Sequence, residues 1–174
     1  IFVKPANAGS SVGITKAHNR PELEQALELA LQNDSRVLFE EFIDGFEVEC
    51  AVLGNDRLQC GVVGQITPAN EFYDFEAKYE NAESLLHIPA LVPEEVQKEV
   101  AKQAETVFKA IGCAGFSRVD FFVTKKDHRV LFNEINTIPG FTDISMYPKM
   151  MDAAGVSYPD LIDELLQLAL QKWG

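Results

Sequence analysis

The sequence predicts an α+β fold, and three observations carry that expectation. Strands recur as antiparallel pairs around short turns, at Gly54-Asn55-Asp56 and at Lys125-Lys126-Asp127-His128. Helical stripes stand between these pairs instead of alternating strictly with single strands. The chain has 174 residues, 47% of them apolar and 24% charged, and a chain of that size buries roughly 70% of its unfolded surface, which argues against disorder.

Each element follows from local chemistry. Ile1-Phe2-Val3-Lys4-Pro5 is a short apolar strand interrupted by a lysine and stopped by a proline, and Gly9-Ser10-Ser11-Val12-Gly13 forms the loop of an implied hairpin. From Pro21 to Asn33, Leu23, Ala26, Leu27, Ala30 and Leu31 make one amphipathic stripe. Arg36 to Ile43 reads as a strand ending in Glu40-Glu41, with Asp44-Gly45 as a turn, and Phe46–Leu53 and Leu58–Ile66 form the first hairpin. Residues 67–92 carry no sustained periodicity, which marks a long functional or mobile loop. Pro93 opens a helix striped by Val96, Val100, Ala104, Val107, Phe108 and Ile111 and closed by Gly112. Phe116–Thr124 and Arg129–Thr137 are the second hairpin, residues 145–154 are helical after the Pro139-Gly140 break, and Ser157 caps a last helix three residues before Asp160.

The charge balance of 15 Lys and Arg against 27 Asp and Glu, net −12, argues against nucleic acid or an anionic membrane as a partner, because both need clustered cations. No apolar run approaches the roughly 20 residues that cross a bilayer. Cys50, Cys60 and Cys113 are odd in number and widely spaced, as expected of free thiols in a reducing cytoplasm. The opening Ile1-Phe2-Val3, without an initiator Met, looks like a strand entered halfway and predicts a fragment.

The densest chemistry lies on the second hairpin. Glu134 and Asn136 are two apart on one strand and share a face, while Asp120 sits on its neighbour with Arg118 two residues before it. Two carboxylates and an amide oxygen form the hard, oxygen-rich set that Mg²⁺ prefers; the bland alternative is a polar, solvent-facing side of an ordinary hairpin. Lys4 beside a loop of small residues could meet a phosphate, or could be a snorkelling edge lysine. Glu40, Glu41, Phe42 and Ile43, followed by Glu47, could edge an adenine and hold a ribose, or form a solvated strand end. The aromatic and charged run Glu71–Tyr79 suits a lid, or a loop clamped by its aromatics. Asn136-Thr137-Ile138-Pro139-Gly140-Phe141-Thr142 carries a free glycine N–H that could face an oxyanion, or simply joins strand to helix. No Ser or Cys nucleophile motif accompanies His18, His87 or His128.

In this order, the segments Phe2-Val3-Lys4-Pro5 with Gly9–Gly13, Glu71-Phe72-Tyr73 through Glu76-Ala77-Lys78-Tyr79, Arg118-Val119-Asp120 and Asn133–Thr142 resemble the C-terminal part of the D-alanine–D-alanine ligases, a family of the ATP-grasp superfamily. The resemblance covers nearly the whole chain and implies a partial ATP-grasp fold. Residues 1–43 would be the remainder of its central subdomain and 44–174 the C-terminal subdomain with the lid and the Mg²⁺ site. It implies that Lys4 binds the α and β phosphates of ATP, that Ser10 and Ser11 lie in the glycine-rich loop with Ser10 catalytic, and that Glu40, Glu41, Phe42 and Ile43 hold adenine with Glu47 on the ribose. Asp120, Glu134 and Asn136 would ligate two Mg²⁺ ions, with Mn²⁺ as a substitute, and Lys78 would meet the γ-phosphate. Arg118 and the Gly140 N–H would stabilise a tetrahedral oxyanion, and Ser145 with Met146 would receive the second substrate.

The implied reaction phosphorylates one D-alanine, whose acyl phosphate is attacked by the amine of another, and the dipeptide feeds peptidoglycan synthesis. Tyr79 in the lid favours D-alanine over D-lactate. Complete members are longer, and the family's N-terminal region, through which they form homodimers, has no counterpart here. Weak or absent activity is therefore expected of this chain alone. An ATP-grasp ligase for another carboxylate and amine, such as D-alanine with D-serine or D-lactate, and a non-catalytic Mg²⁺-nucleotide module are the competing expectations.

Overall fold

The computed structural model describes residues 1–7, 12–67 and 85–174. Its described residues fall into two compact units, Ile1–Asp44 and Gly45–Thr67 with Leu85–Gly174. The first unit is a three-stranded antiparallel sheet, β1 (Phe2–Pro5), β2 (Thr15–Lys16) and β3 (Val37–Glu40), in the order β2-β1-β3. Helix α1 (Arg20–Leu31) packs on it through Ala26 and Ala30, which meet Val3 and Ala17 with Leu23 and Val37 at the margin. Small alanines at the contact let the helix approach the sheet closely. Asn19 caps α1, accepting a hydrogen bond from the Glu22 N–H at 3.0 Å.

The second unit is a six-stranded sheet in the order β7-β6-β4-β8-β9, with β5 also paired to β4. Its strands are β4 (Gly45–Gly54), β5 (Leu58–Cys60), β6 (Gly64–Thr67), β7 (Leu85–His87), β8 (Gly115–Thr124) and β9 (Val130–Asn136). Every recorded strand pair is antiparallel. One face carries the core: Val48, Cys50 and Val52 of β4 and Val119, Phe121 and Val123 of β8 pack against Val96, Val100, Ala104 and Phe108 of helix α2 (Glu94–Ala110). These are the alternate residues of each strand and one stripe of the helix, as the two periodicities require. Cys50, Cys60 and Cys113 are free thiols, Cys50 fully buried and the other two half-buried.

The stretch expected as one strand over 58–66 is two. Between β5 and β6 the Gly61 N–H bonds to the Ala51 carbonyl and the Val62 N–H to the Met150 carbonyl. Helix α3 (Met146–Ala153) lies so close there that a Cβ on Gly61 would meet Met150 backbone atoms at 3.0 Å. That close approach interrupts the ladder, and no local pattern announces it. At the other end of β4, Gly54 has φ +129°, where a side chain would run into the Arg57 carbonyl, so the turn into β5 requires glycine. Helix α4 (Tyr158–Trp173) is capped as expected, with the Ser157 hydroxyl accepting from the Asp160 N–H. No helix among the described residues is long and apolar enough to cross a membrane.

Candidate functional site

Opposite the α2-covered face of the larger sheet, β4, β8 and β9 line up three carboxylates in register. Glu49 faces Asp120, and Asp120 faces Glu134. In the adjoining row Ala51 faces Arg118, which faces Asn136. Directly opposed residues of antiparallel strands share a face, so these side chains converge. Arg118 donates to Asp120 through Nε to Oδ1 and Nη2 to Oδ2, each at 2.7 Å, and its Nε lies 3.2 Å from Glu49 Oε2. Asn136 Nδ2 donates to Asp120 Oδ2 at 2.9 Å and to Glu134 Oε1 at 3.4 Å.

Burial alone would pull the guanidinium pKa down. The hydrogen bonds to Asp120 and the charges of Glu49, Asp120 and Glu134 outweigh it, leaving Arg118 above the ordinary arginine value and permanently cationic. Among the described residues three carboxylates stand against one guanidinium in the cluster, an environment that attracts a cation. Asp120, Glu134 and Asn136 have the donor chemistry for a hard ion. Asn136 presents its nitrogen to the two carboxylates, and half a turn about its last torsion presents its oxygen instead. Among the described residues no group of three or more His, Cys, Asp or Glu side chains is arranged to hold a metal.

The loop after β9 is built by aromatics. Phe141 packs against Phe116 at 5.6 Å, Tyr147 at 5.5 Å and Tyr158 at 6.1 Å between ring centres, and the Tyr158 hydroxyl donates to the Phe141 carbonyl. The Tyr147 hydroxyl, in turn, donates to the Val52 carbonyl of β4 at 3.1 Å. Anchored this way, the loop brings Gly140 against Ser145: a Cβ on Gly140 would lie 2.7 Å from Ser145 Oγ, which already accepts from the Thr142 N–H. Met146 is buried, its side chain against Gly64, so its backbone is what it can offer a ligand.

In the smaller unit, Lys4 on β1 reaches across to Glu40 at the end of β3 and pairs with it at 2.7 Å. Glu40 therefore supplies the counter-charge that a lysine in an apolar strand needs. Glu41, Phe42 and Ile43 follow β3 outside any strand, with the exposed Phe42 ring covered by the Lys16 ammonium at 4.0 Å. Glu47 is on β4 of the larger unit, on the same face as Glu49. Ser10, Ser11, Lys78 and Tyr79 lie outside the described residues.

Residues 1–167 match the family model described as the D-Ala–D-Ala ligase C-terminus. The chain belongs to this D-Ala–D-Ala ligase family. Relatives include the D-alanine–D-alanine ligases of Chlorobaculum parvum, 58% identical over 172 residues, and Acetivibrio thermocellus, 54% identical over 173; each alignment takes in 99% of this chain, and 47% and 46% of those proteins. The VanG D-Ala:D-Ser ligase of Enterococcus faecalis superposes with a TM-score of 0.87 at 47% identity, over 96% of this chain and 48% of that one. The chain thus spans about half the length of the curated relatives it matches, and its fold is the α+β ATP-grasp fold of the D-Ala–D-Ala ligases, in part.

Glu49 is the member of the cluster that sequence reasoning passed over. Its signal was the alternation Glu47-Val48-Glu49-Cys50, which puts two acids on one face of a strand otherwise buried. What the pattern lacks is the identity of the partner strand.

Proposed function

We propose that this chain is the C-terminal, ATP-grasp portion of an ATP-dependent ligase that joins two D-alanines through an acyl phosphate for peptidoglycan synthesis, in the cytoplasm. Residues 1–43 belong to the central subdomain of such an enzyme and 44–174 to its C-terminal subdomain, and the complete protein is a homodimer through its N-terminal region. The observation that carries the reading is the convergence of Asp120, Glu134 and Asn136 beside Arg118, in a chain that matches the ligase family over residues 1–167.

In this reading Lys4 binds the nucleotide phosphates, exchanging its Glu40 partner for them or sharing itself between both. Glu40, the backbone of Glu41–Ile43 and Glu47 hold adenosine. Asp120, Glu134 and Asn136 hold two Mg²⁺ ions, for which Mn²⁺ substitutes, and those ions neutralise phosphate charge when bound. Lys78 meets the γ-phosphate. Arg118, fixed along the Nε–Nη2 edge of its guanidinium, and the Gly140 N–H are preorganised donors for an oxyanion, which is the larger part of what a protein contributes to acyl transfer. Ser10 and Ser11 belong to the glycine-rich loop, Ser10 as a catalytic residue and Ser11 as a nucleotide contact, while Ser145 and the Met146 backbone take the second substrate's carboxylate. The similarity to a D-Ala:D-Ser ligase keeps D-serine as the alternative second substrate, and Tyr79 favours D-alanine over D-lactate.

Calorimetric titration of the chain with MgATP tests the assignment. Binding that disappears in Asp120→Asn supports it, and binding equal in both proteins overturns the assigned metal set. The isolated chain is expected to release little phosphate from ATP in response to D-alanine. Release at the rate of a complete ligase would show that the first-substrate site does not depend on the N-terminal half.

A further inference from the structure

The Nε–H of Arg118 lies between two buried carboxylates. It is bonded to Asp120 Oδ1 at 2.7 Å, while Glu49 Oε2 stands 3.2 Å from the same nitrogen. The hydrogen is aimed at Asp120, so Glu49 contributes charge there without an aligned hydrogen bond. Asp120 is thereby engaged twice, since the metal reading of the site asks for the same oxygens that now accept from Arg118. A half-buried guanidinium with no carboxylate to receive its Nε–H would be left desolvated and displaced. Glu49 is 6% exposed, held on β4 by pairing on both sides, and directly opposite Asp120.

We infer that Glu49 is a positioning residue for Arg118: it accepts the Nε–H when Asp120 gives its oxygens to a divalent cation, and so keeps the guanidinium in place while the Nη groups turn to a ligand. The inference rests on the metal reading above for its occasion. The handover itself is a property of three side chains on neighbouring strands, and it can be provoked without metal.

The Arg118 Nε–H resonance in a ¹H–¹⁵N spectrum reports directly on that bond. In Asp120→Leu, which removes both acceptor oxygens, with no metal added, the resonance is expected to remain protected through Glu49. In Asp120→Leu/Glu49→Met its exchange with water should accelerate by about tenfold or more, the loss of a charge-assisted hydrogen bond. Glu49→Met alone should leave the metal-free signal intact, because Asp120 still accepts it, but lose protection at saturating Mg²⁺, where the unsubstituted chain keeps it. Glu49→Gln, which retains an acceptor and removes the charge, should fall between the two and guards against a variant that does not fold. Equal protection in Asp120→Leu and the double variant overturns the inference whatever the metal does. Absence of any Mg²⁺ effect on Glu49→Met, with the Asp120→Leu arm behaving as expected, overturns the metal reading and leaves the handover standing.

Discussion

Arg118 grips Asp120 side-on, two residues along the same strand, through parallel 2.7 Å bonds from Nε and Nη2. A pair at i and i+2 on a strand shares a face but not a direction, so a fork this regular requires the long arginine side chain to fold back along β8. Side-chain exposures of 23% for Arg118, 12% for Asp120 and 8% for Glu49 place the group mostly out of solvent. Arg118→Met is therefore expected to destabilise the larger unit by about 3 kcal/mol, the lower range for breaking a buried ion pair, because Glu49 and Asp120 would lose the guanidinium that both of them meet. Urea denaturation measures it. A loss under about 0.5 kcal/mol, the scale of an exposed pair, would mean that water reaches the cluster freely.

Cation binding to this cluster carries a thermal signature. A ligand at a hundred times its dissociation constant adds about 2.7 kcal/mol to the state that binds it. Mg²⁺ in that excess should raise the unfolding temperature by about 5 °C or more, with no such gain in Asp120→Asn. An equal rise in both proteins would locate the bound ion elsewhere.

Gly140 and Ser145 test how tightly the loop after β9 is made. Adding a methyl at Gly140 puts it 2.7 Å from Ser145 Oγ, but 3.6 Å from the Ser145 Cβ. Gly140→Ala should cost about 1–2 kcal/mol as an overpacking change. In a Ser145→Ala background, where the crowding atom is gone, most of that cost should vanish. Additive effects in the double-mutant cycle would show that the loop shifts to accept the methyl group.

Lid identity is a question for the complete enzyme. Tyr79→Phe should move the second-substrate preference from D-alanine toward D-lactate at neutral pH, read as the ratio of kcat/KM for the two. An unchanged ratio removes Tyr79 from the specificity argument.

How much of this could be read in the sequence depends on the range of the interactions. Asp120, Arg118, Glu134 and Asn136 are legible together because a five-residue connection joins their strands, and period-two alternation then decides which side chains meet. Glu49 was not, because β4 pairs with β8 across more than sixty residues of chain, and no local pattern names that partner. The break at Gly61 and the burial of Met146 have the same origin, a helix docking from far along the chain. The Lys4 case differs: its need for a counter-charge was readable, but Glu40, itself marked as a ligand contact, turned out to satisfy it within the sheet.

Tyr147 links the loop to the core, and its ionisation gives the larger unit an alkaline limit. Burial pushes its pKa well above the ordinary tyrosine value, with the neighbouring Cys50 and Cys60 adding to the rise, while its hydroxyl donates to the Val52 carbonyl. A group whose folded pKa is raised contributes stability that is complete below the unfolded pKa, here about 10. Above that pH the unfolded chain sheds the proton and the folded one retains it, so stability falls with rising pH until the folded value is passed. Tyr147→Phe should lose about 1 kcal/mol at neutral pH, from the deleted hydrogen bond and the carbonyl it leaves behind. It should also lose the part of the decline above pH 10 that Tyr147 causes, so that the two stability curves converge as the pH rises. Denaturation midpoints at pH 7, 9, 10 and 11 measure both effects, and parallel curves over that range would mean that the Tyr147 phenol ionises as freely in the folded chain as in the unfolded one.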